Sequence, residues 1–183
     1  FSLARVDCLT FVEQTLALAQ RFSKDEAVKL LQLYRYEGGE IRYDRRRHLM
    51  ELQWLPGLAK EGLLKDVTRA IGGEMTRVLK RKVTPRSYLG KLGRFKRFMG
   101  KRLPVGEIHL SYVPKKALAR GLAKGTLHIG PGTIMALVRR TARWAPIVIK
   151  HVGFVMKKGD ALVFRHAIHV PGRAIDEPLA RYL

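Results

Sequence analysis

Apolar residues at helical spacing mark two helices near the start of the chain. Val12, Leu16 and Ala19 fall on one stripe after Asp7, a residue type that favours helix N-caps. Ser23 to Glu26 then has the spacing of a capping box, which predicts the start of a second helix. The apolar residues of that second helix recur at the same spacing: Ala27, Leu30, Leu31 and Tyr34. The N-terminal part is therefore predicted to be helical.

The middle of the chain gives weaker signals. Gly38-Gly39 predicts a turn, and Ile41 to Tyr43 a short strand. Leu63 to Ile71 and Glu74 to Val83 are predicted as strands, and Ser87 to Met99 as a basic helix. The alternative is that this region is an excursion over the surface.

The C-terminal half has the alternation typical of strands. Ile108, Leu110 and Tyr112 alternate with polar residues and stop at Pro114. A short helix is predicted over Lys115 to Leu122. Three further strands are predicted, over Thr133 to Val138, Ile147 to Met156 and Ala161 to Val170. Helices followed by neighbouring strands indicate an α+β fold with an antiparallel sheet.

Composition narrows the class of protein. The 183 residues carry a formal net charge of +21, and Lys60 to Arg102 holds 14 basic and 3 acidic residues. We expect one catalytic domain over residues 1–183, with a basic, insertion-like region at about 60–104. The charge predicts attraction to polyanions, whether nucleic acid, anionic envelope polymers or acidic lipid. No run of apolar residues is long enough for a transmembrane segment.

Cys8 is the one cysteine of the chain, and it lies at the predicted start of the first helix. Free N–H groups and the helix dipole favour a thiolate at that position. A lone cysteine is more often a small buried apolar residue, so a second feature is needed to indicate chemistry.

Two histidines supply that feature. A hairpin centred between Lys158 and Gly159 would place His151 directly opposite His166, on a face apolar enough to lie against a helix. Adjacent imidazoles suit nucleophilic catalysis, in which one takes the thiol proton and the other orients it. Gly153 would leave room for their close approach. Two unrelated histidines are the alternative, because the pairing depends on the position of the turn.

A zinc site is the competing use of Cys8, His151, His166 and His169. His169 should face away from His166, because three is an odd offset along a strand. No spacing typical of zinc ligands supports the site. We therefore expect no metal and no cofactor.

Several motifs in this order resemble a known family. They are Asp7-Cys8-x-Thr-Phe-Val-Glu13, Arg46-x-His48 through Trp54, His151-Val-Gly-Phe154 and Phe164-Arg-His-Ala167, followed by Asp176, Pro178-Leu179 and Tyr182-Leu183. The chain resembles the bacterial N-acetylmuramoyl-L-alanine amidase-like proteins, relatives of the NlpC-type cell-wall hydrolases with a papain-like core. It departs from their pattern at Lys150 and Ile168.

The resemblance implies Cys8 as nucleophile, His151 as general base and His166 as the orienting member of a Cys-His-His triad. It also implies substrate-side roles for Asp7, Arg46 and His48. The implied reaction is cleavage of the amide between N-acetylmuramic acid and L-Ala in peptidoglycan or muropeptides. The implied location is the bacterial cell envelope, periplasmic or secreted.

Three other functions remain open. The same triad could serve a γ-D-glutamyl endopeptidase of the stem peptide, or a thiol acyltransferase. Charge alone would fit a nucleic-acid-binding domain, but aromatic residues make up only 8% of the chain and no binding motif interleaves them with the basic runs, so no nucleic acid is expected.

Overall fold

The computed structural model describes residues 6–21, 23–88, 103–139, 147–169 and 172–183. The α-helices in these residues are α1 (Cys8–Ala19), α2 (Lys24–Arg35), α3 (Leu55–Lys60), α4 (Thr68–Gly72), α5 (Lys115–Ala123) and α6 (Leu179–Tyr182). The strands are β1 (Arg77–Val83), β2 (Gly106–Tyr112), β3 (Ile134–Val138), β4 (Ile149–Lys158), β5 (Ala161–Ile168) and β6 (Arg173–Pro178). None of these helices is long and apolar enough to span a bilayer.

Both sheets are antiparallel. One contains β1 and β2, and the other has the strand order β3-β4-β5-β6. The predicted α+β class is confirmed, with α1 and α2 preceding the four-stranded sheet that follows late in the chain. The sixth strand, β6, was not predicted from the sequence.

The two N-terminal helices form where the pattern predicts them. Asp7 caps α1, and its carboxylate accepts a hydrogen bond from the Thr10 backbone N–H. Ser23 caps α2 and accepts from the Glu26 backbone N–H. The four apolar residues predicted for α2 are all buried, whereas Ala19 of α1 is exposed.

The predictions for the middle of the chain are partly wrong. Ile41 to Tyr43 is no strand, and Leu63 to Ile71 contains the start of α4 instead of a strand. The strand predicted over Glu74 to Val83 is present as the shorter β1. Of the predicted helix Ser87 to Met99, residues 89–99 lie outside the described residues, and Pro85–Tyr88 forms a 3₁₀ turn. The basic region is joined to the fold through β1, which pairs with β2.

The β4–β5 hairpin corrects the predicted register. Lys158 pairs with Ala161, so the turn is centred one residue later than predicted, between Gly159 and Asp160. Phe154 pairs with Arg165, and the same register places His166 opposite Gly153. His151 and His166 are therefore diagonal neighbours. Moving the centre of the turn by one residue shifts the strand pairing by two residues. Because two is an even number, the two histidines still lie on the same face of the sheet.

The two faces of the four-stranded sheet contact different helices. Val152 and Phe154 pack with Val12 of α1 and with Leu30 of α2. Val155 and Phe164 lie on the other face, in a cluster with Leu118 of α5 and Leu179 of α6. The histidine face is covered by a helix, as predicted, and α1 lies on the opposite face.

A buried carboxylate joins the N-terminal elements. Glu13 is 1% exposed, and it accepts hydrogen bonds from Arg35 Nε at 2.8 Å and from Trp54 Nε1 at 3.0 Å. These donors come from α2 and from a π-helical turn, Met50–Trp54. Trp54 is fully buried, so it is a core residue and offers no platform for a ligand.

A second buried carboxylate fixes the start of β4. Glu51 accepts hydrogen bonds from the backbone N–H groups of Val148 and Ile149, each at 2.5 Å. Because these residues precede His151 so closely, Glu51 sets where the histidine strand begins relative to the N-terminal half.

Glu13→Ala should lower the free energy of unfolding by about 3–5 kcal/mol, because it leaves the Arg35 guanidinium and the Trp54 N–H without their acceptor. Glu13→Gln keeps one acceptor oxygen and should lose less. Urea denaturation followed by Trp fluorescence measures both. A change of less than about 1 kcal/mol for Glu13→Ala would contradict the role given to this carboxylate.

Candidate active site

Cys8 is the first residue of α1, where helix geometry leaves backbone N–H groups free. The half-buried thiol packs against the cluster that contains Val12 and Val152. The backbone of Val152, the residue that follows His151, lies close enough to the sulfur to lower the pKa of the thiol. The α1 start and the histidine strand thus meet at this sulfur.

Burial raises the pKa of the Cys8 thiol. The backbone of Val152 and the helix-start residues Leu9 and Cys8 lower that pKa, while the negative charge of Asp7 raises it. The predicted effect of the helix start is present, but desolvation outweighs it. A neutral thiol is therefore favoured at rest.

The two histidines contact each other across β4 and β5. His151 Nε2 lies 2.7 Å from His166 Nδ1, and their ring planes are nearly perpendicular, at 86°. Gly153 permits this contact, because a Cβ there would lie 2.8 Å from the His166 Cβ and 2.5 Å from the Arg165 carbonyl oxygen. The predicted pairing of the two imidazoles is thus achieved diagonally, over a residue without a side chain.

A third strand extends the chain of contacts. His166 Nε2 lies 2.7 Å from Glu177 Oε2. Glu177 is on β6, whose register pairs it with Phe164 and places it diagonal to His166. Three adjacent strands therefore each contribute one polar side chain to a diagonal row. Sequence reasoning missed Glu177, since β6 was not predicted and its register was unknown.

This row determines which ring nitrogens carry protons. The Glu177 carboxylate can only accept, so His166 Nε2 donates to it. When His166 is neutral, its Nδ1 accepts and His151 Nε2 donates, because a neutral imidazole has one donor and one acceptor nitrogen. The free lone pair of His151 is consequently on Nδ1, the nitrogen that can receive a proton from a neighbouring group.

The pKa of His151 lies below the ordinary histidine value. Burial is the main cause, and the adjacent His166 adds to it, whereas the Glu177 carboxylate opposes both by favouring the imidazolium. At neutral pH His151 is accordingly a neutral base.

Aromatic rings enclose the buried second histidine. Phe164 stacks on His166 at a centroid distance of 4.7 Å, and Tyr182 lies edge-on to it at 5.2 Å. Burial raises the pKa of the Tyr182 hydroxyl, with further contributions from the charges of Glu177 and Cys8. Tyr182 is therefore within electrostatic reach of both the thiol and the end of the polar row.

No hydrogen bond joins the Cys8 thiol to either histidine in the part of the chain that is described. The pKa of the thiol responds to the backbone of Val152, Leu9 and Cys8 itself, and the His151 ring contacts His166. The fold thus packs Cys8 against the cluster that contains Val152, the residue after His151, and brings His151 into contact with His166.

The three predicted substrate-side residues have other contacts. Asp7 caps α1. Arg46 lies over the Tyr36 ring, 5.9 Å from its centroid. His48 Nε2 is 2.8 Å from the Tyr43 carbonyl oxygen, and its ring lies 4.6 Å from the Tyr43 ring. None of these contacts joins Arg46 or His48 to the thiol or to the histidine pair.

The basic cluster around Arg46 is partly structural. Arg47 is 6% exposed, and it donates hydrogen bonds to the Gln53 carbonyl oxygen and to Glu61. A guanidinium that is buried and paired in this way links the π-helical turn to Glu61, the residue that follows α3.

Among the described residues, no group of three or more His, Cys, Asp or Glu side chains is arranged to hold a metal ion. His169, the remaining candidate ligand of the sequence, is exposed at the end of β5.

Solved structures with the same fold come from several bacteria. A Legionella pneumophila protein of family DUF1460 has a TM-score of 0.80 at 25% identity, covering 96% of this chain and 69% of that chain. An N-acetylmuramoyl-L-alanine amidase from Bacteroides uniformis has a TM-score of 0.69 at 27% identity, covering 97% and 78%. A candidate xylanase from Bacteroides fragilis has a TM-score of 0.69 at 28% identity, covering 97% and 80%.

No curated protein matches the sequence significantly. The family comparison, in contrast, covers the whole chain. The AmiA-like family, described as N-acetylmuramoyl-L-alanine amidase-like, matches residues 1–183. The chain therefore belongs to the N-acetylmuramoyl-L-alanine amidase-like family.

Proposed function

We propose that the chain is a cysteine amidase that cleaves the amide between N-acetylmuramic acid and L-Ala in peptidoglycan or muropeptides. Membership of the amidase-like family implies a peptidoglycan substrate and suggests an extracytoplasmic location. The observation that carries the proposal is the row Glu177–His166–His151, which ends beside the strand residue that contacts the Cys8 thiol.

The pKa directions favour a concerted start to the reaction. Cys8 and His151 are both neutral at rest, so His151 Nδ1 removes the thiol proton as the sulfur attacks the lactyl carbonyl carbon. The direct thiol–imidazole contact forms with substrate bound, as catalytic hydrogen bonds often do. The Cys8 backbone N–H is the first donor to the oxyanion.

The remaining steps return the enzyme to its starting state. The tetrahedral intermediate collapses as the His151 imidazolium protonates the L-Ala nitrogen, which leaves as the free amine of the peptide. Water, deprotonated by His151, then attacks the thioester and releases the muramic acid carboxylate and the thiol. His166 holds the ring of His151, and Glu177 stabilises the imidazolium that forms twice in the cycle.

The architecture supports a papain-like core of the NlpC type. The proposed nucleophile lies at a helix start, and that helix packs on an antiparallel sheet whose adjacent strands supply the two histidines. We infer a periplasmic or secreted enzyme whose charge of +21 concentrates it on anionic envelope polymers.

Digestion of defined muropeptides tests the reaction. The wild-type chain should release the intact stem peptide and a free lactyl carboxylate, seen by mass spectrometry. Cys8→Ala and His151→Ala should each lower the rate by at least about 10³-fold. His169→Ala, which removes an exposed histidine, should retain full activity. A shortened stem peptide attached to the sugar would instead identify an endopeptidase.

The pH dependence of Cys8 alkylation tests whether the Cys8 thiol and the His151 imidazole are both uncharged at rest. Because burial raises the pKa of the thiol, the iodoacetamide rate should rise with a midpoint above the ordinary value of about 8.5. The denatured chain provides an internal control, since it exposes the same single thiol and should show the ordinary midpoint. A midpoint near about 3–4 in the folded protein would mean a thiolate–imidazolium pair.

Glu177→Gln tests whether the Glu177 carboxylate controls the pKa of His151. His151 must be neutral to act as base, so activity is lost as pH falls through its pKa. Glu177 raises that pKa, and removing its charge should shift the acid limb of kcat/KM to lower pH. kcat should also fall by roughly 10-fold, because the imidazolium loses a stabilising charge.

Glu40→Gln is the matched control, as Glu40 forms ion pairs only at the surface, with Arg42 and Arg45. An unshifted acid limb in Glu177→Gln would exclude electrostatic coupling between Glu177 and His151.

A further inference from the structure

A cavity of about 940 Å³ lies beside His151. Leu16 of α1 and Leu55 of α3 contribute to one of its walls, and Ile71 of α4 and Leu118 of α5 to another. Its volume falls in the range of ligand sites, and its lining is largely apolar. Cys8 does not contribute to the lining, whereas His151 does. The cavity is therefore bordered by His151 and not by the thiol.

The position of His151 determines which half of a substrate this cavity can receive. In the proposed reaction His151 gives its proton to the departing nitrogen, so the leaving group must lie on the His151 side of the scissile bond. The leaving group is the peptide that begins with L-Ala. We infer that this cavity binds the peptide half of the substrate. This inference rests on the proposed function, which decides that the peptide and not the sugar lies on the His151 side.

The backbone of β3 suits an extended peptide. β3 is an outer strand of the four-stranded sheet, and residues 133–138 line the cavity with side chains from both faces of that strand. Within the described residues its one strand partner is β4. An outer strand has N–H and C=O groups directed away from the sheet, which can pair with an added peptide strand.

The charges of the lining match an acidic peptide. Four exposed cations contribute to it: Lys65, Lys115, Arg139 and Lys150. Its acidic residues are the exposed Asp66 and the buried Glu51, one oxygen of which already accepts from Val148 and Ile149. The balance is cationic, so the cavity favours a peptide that carries free carboxylates beyond its first residue.

Comparison of two substrates tests this assignment. N-acetylmuramoyl-L-Ala ends at the first residue, whereas an N-acetylmuramoyl tripeptide carries additional carboxylates into the cavity. The wild-type kcat/KM should be at least about 10-fold higher for the tripeptide. Lys65→Glu and Lys150→Glu should each reduce the tripeptide-to-alanine ratio by about 3- to 10-fold, mainly through KM. Amidating the tripeptide carboxylates should produce a similar reduction in the wild-type chain.

Lys29→Glu is the matched control, because it makes the same charge change on the exposed surface of α2, outside the cavity lining. It should leave the ratio unchanged. Equal kcat/KM for the two substrates, or an effect of Lys29→Glu as large as those of the cavity variants, would overturn the assignment.

Binding measurements separate this inference from the proposed reaction. If neither substrate is cleaved, the proposed function fails. Calorimetry with the free tripeptide and the Cys8→Ala chain then shows whether the cavity binds a peptide. Binding that weakens in Lys65→Glu and Lys150→Glu supports a peptide site. No binding, or binding that these changes leave unaltered, overturns it.

Discussion

Burial of carboxylates is the constraint on which the arrangement of this protein depends. A buried charge is tolerated only where donors surround it, so each such group ties together the elements that supply its donors. Glu13 joins α1 to α2 and to the π-helical turn, through Arg35 and Trp54. Glu51 then links that turn to the start of β4. Together they fix the helix that begins at Cys8 relative to the strand that carries His151.

The polar row across the sheet also depends on a residue without a side chain, Gly153. Gly153 faces His166, and any Cβ there would collide with the histidine and with the Arg165 carbonyl. The absence of that atom lets the two imidazoles meet diagonally, and the same diagonal continues to Glu177. Antiparallel strands thus convert three distant sequence positions into one hydrogen-bonded row that fixes the tautomer of His151.

Competition between desolvation and polar contacts sets the resting state of the site. Helix-start amides favour the Cys8 thiolate, and Glu177 favours the His151 imidazolium, yet burial prevails at both groups. A neutral pair results, so in the proposed reaction charge separates only once the substrate is bound. The same burial makes any charge that develops during reaction interact strongly with the surrounding dipoles.

The sequence by itself determined the local features of this protein, because caps and apolar spacing act within one or two helical turns. Asp7 and Ser23 start the helices where predicted, and the motifs around Cys8, His151 and His166 indicated the family. Tertiary structure alone decided the hairpin register, the strand that brings Glu177 to His166, and the desolvation that keeps Cys8 neutral. Each of these depends on contacts between residues far apart in the chain, whose geometry and burial no local pattern records.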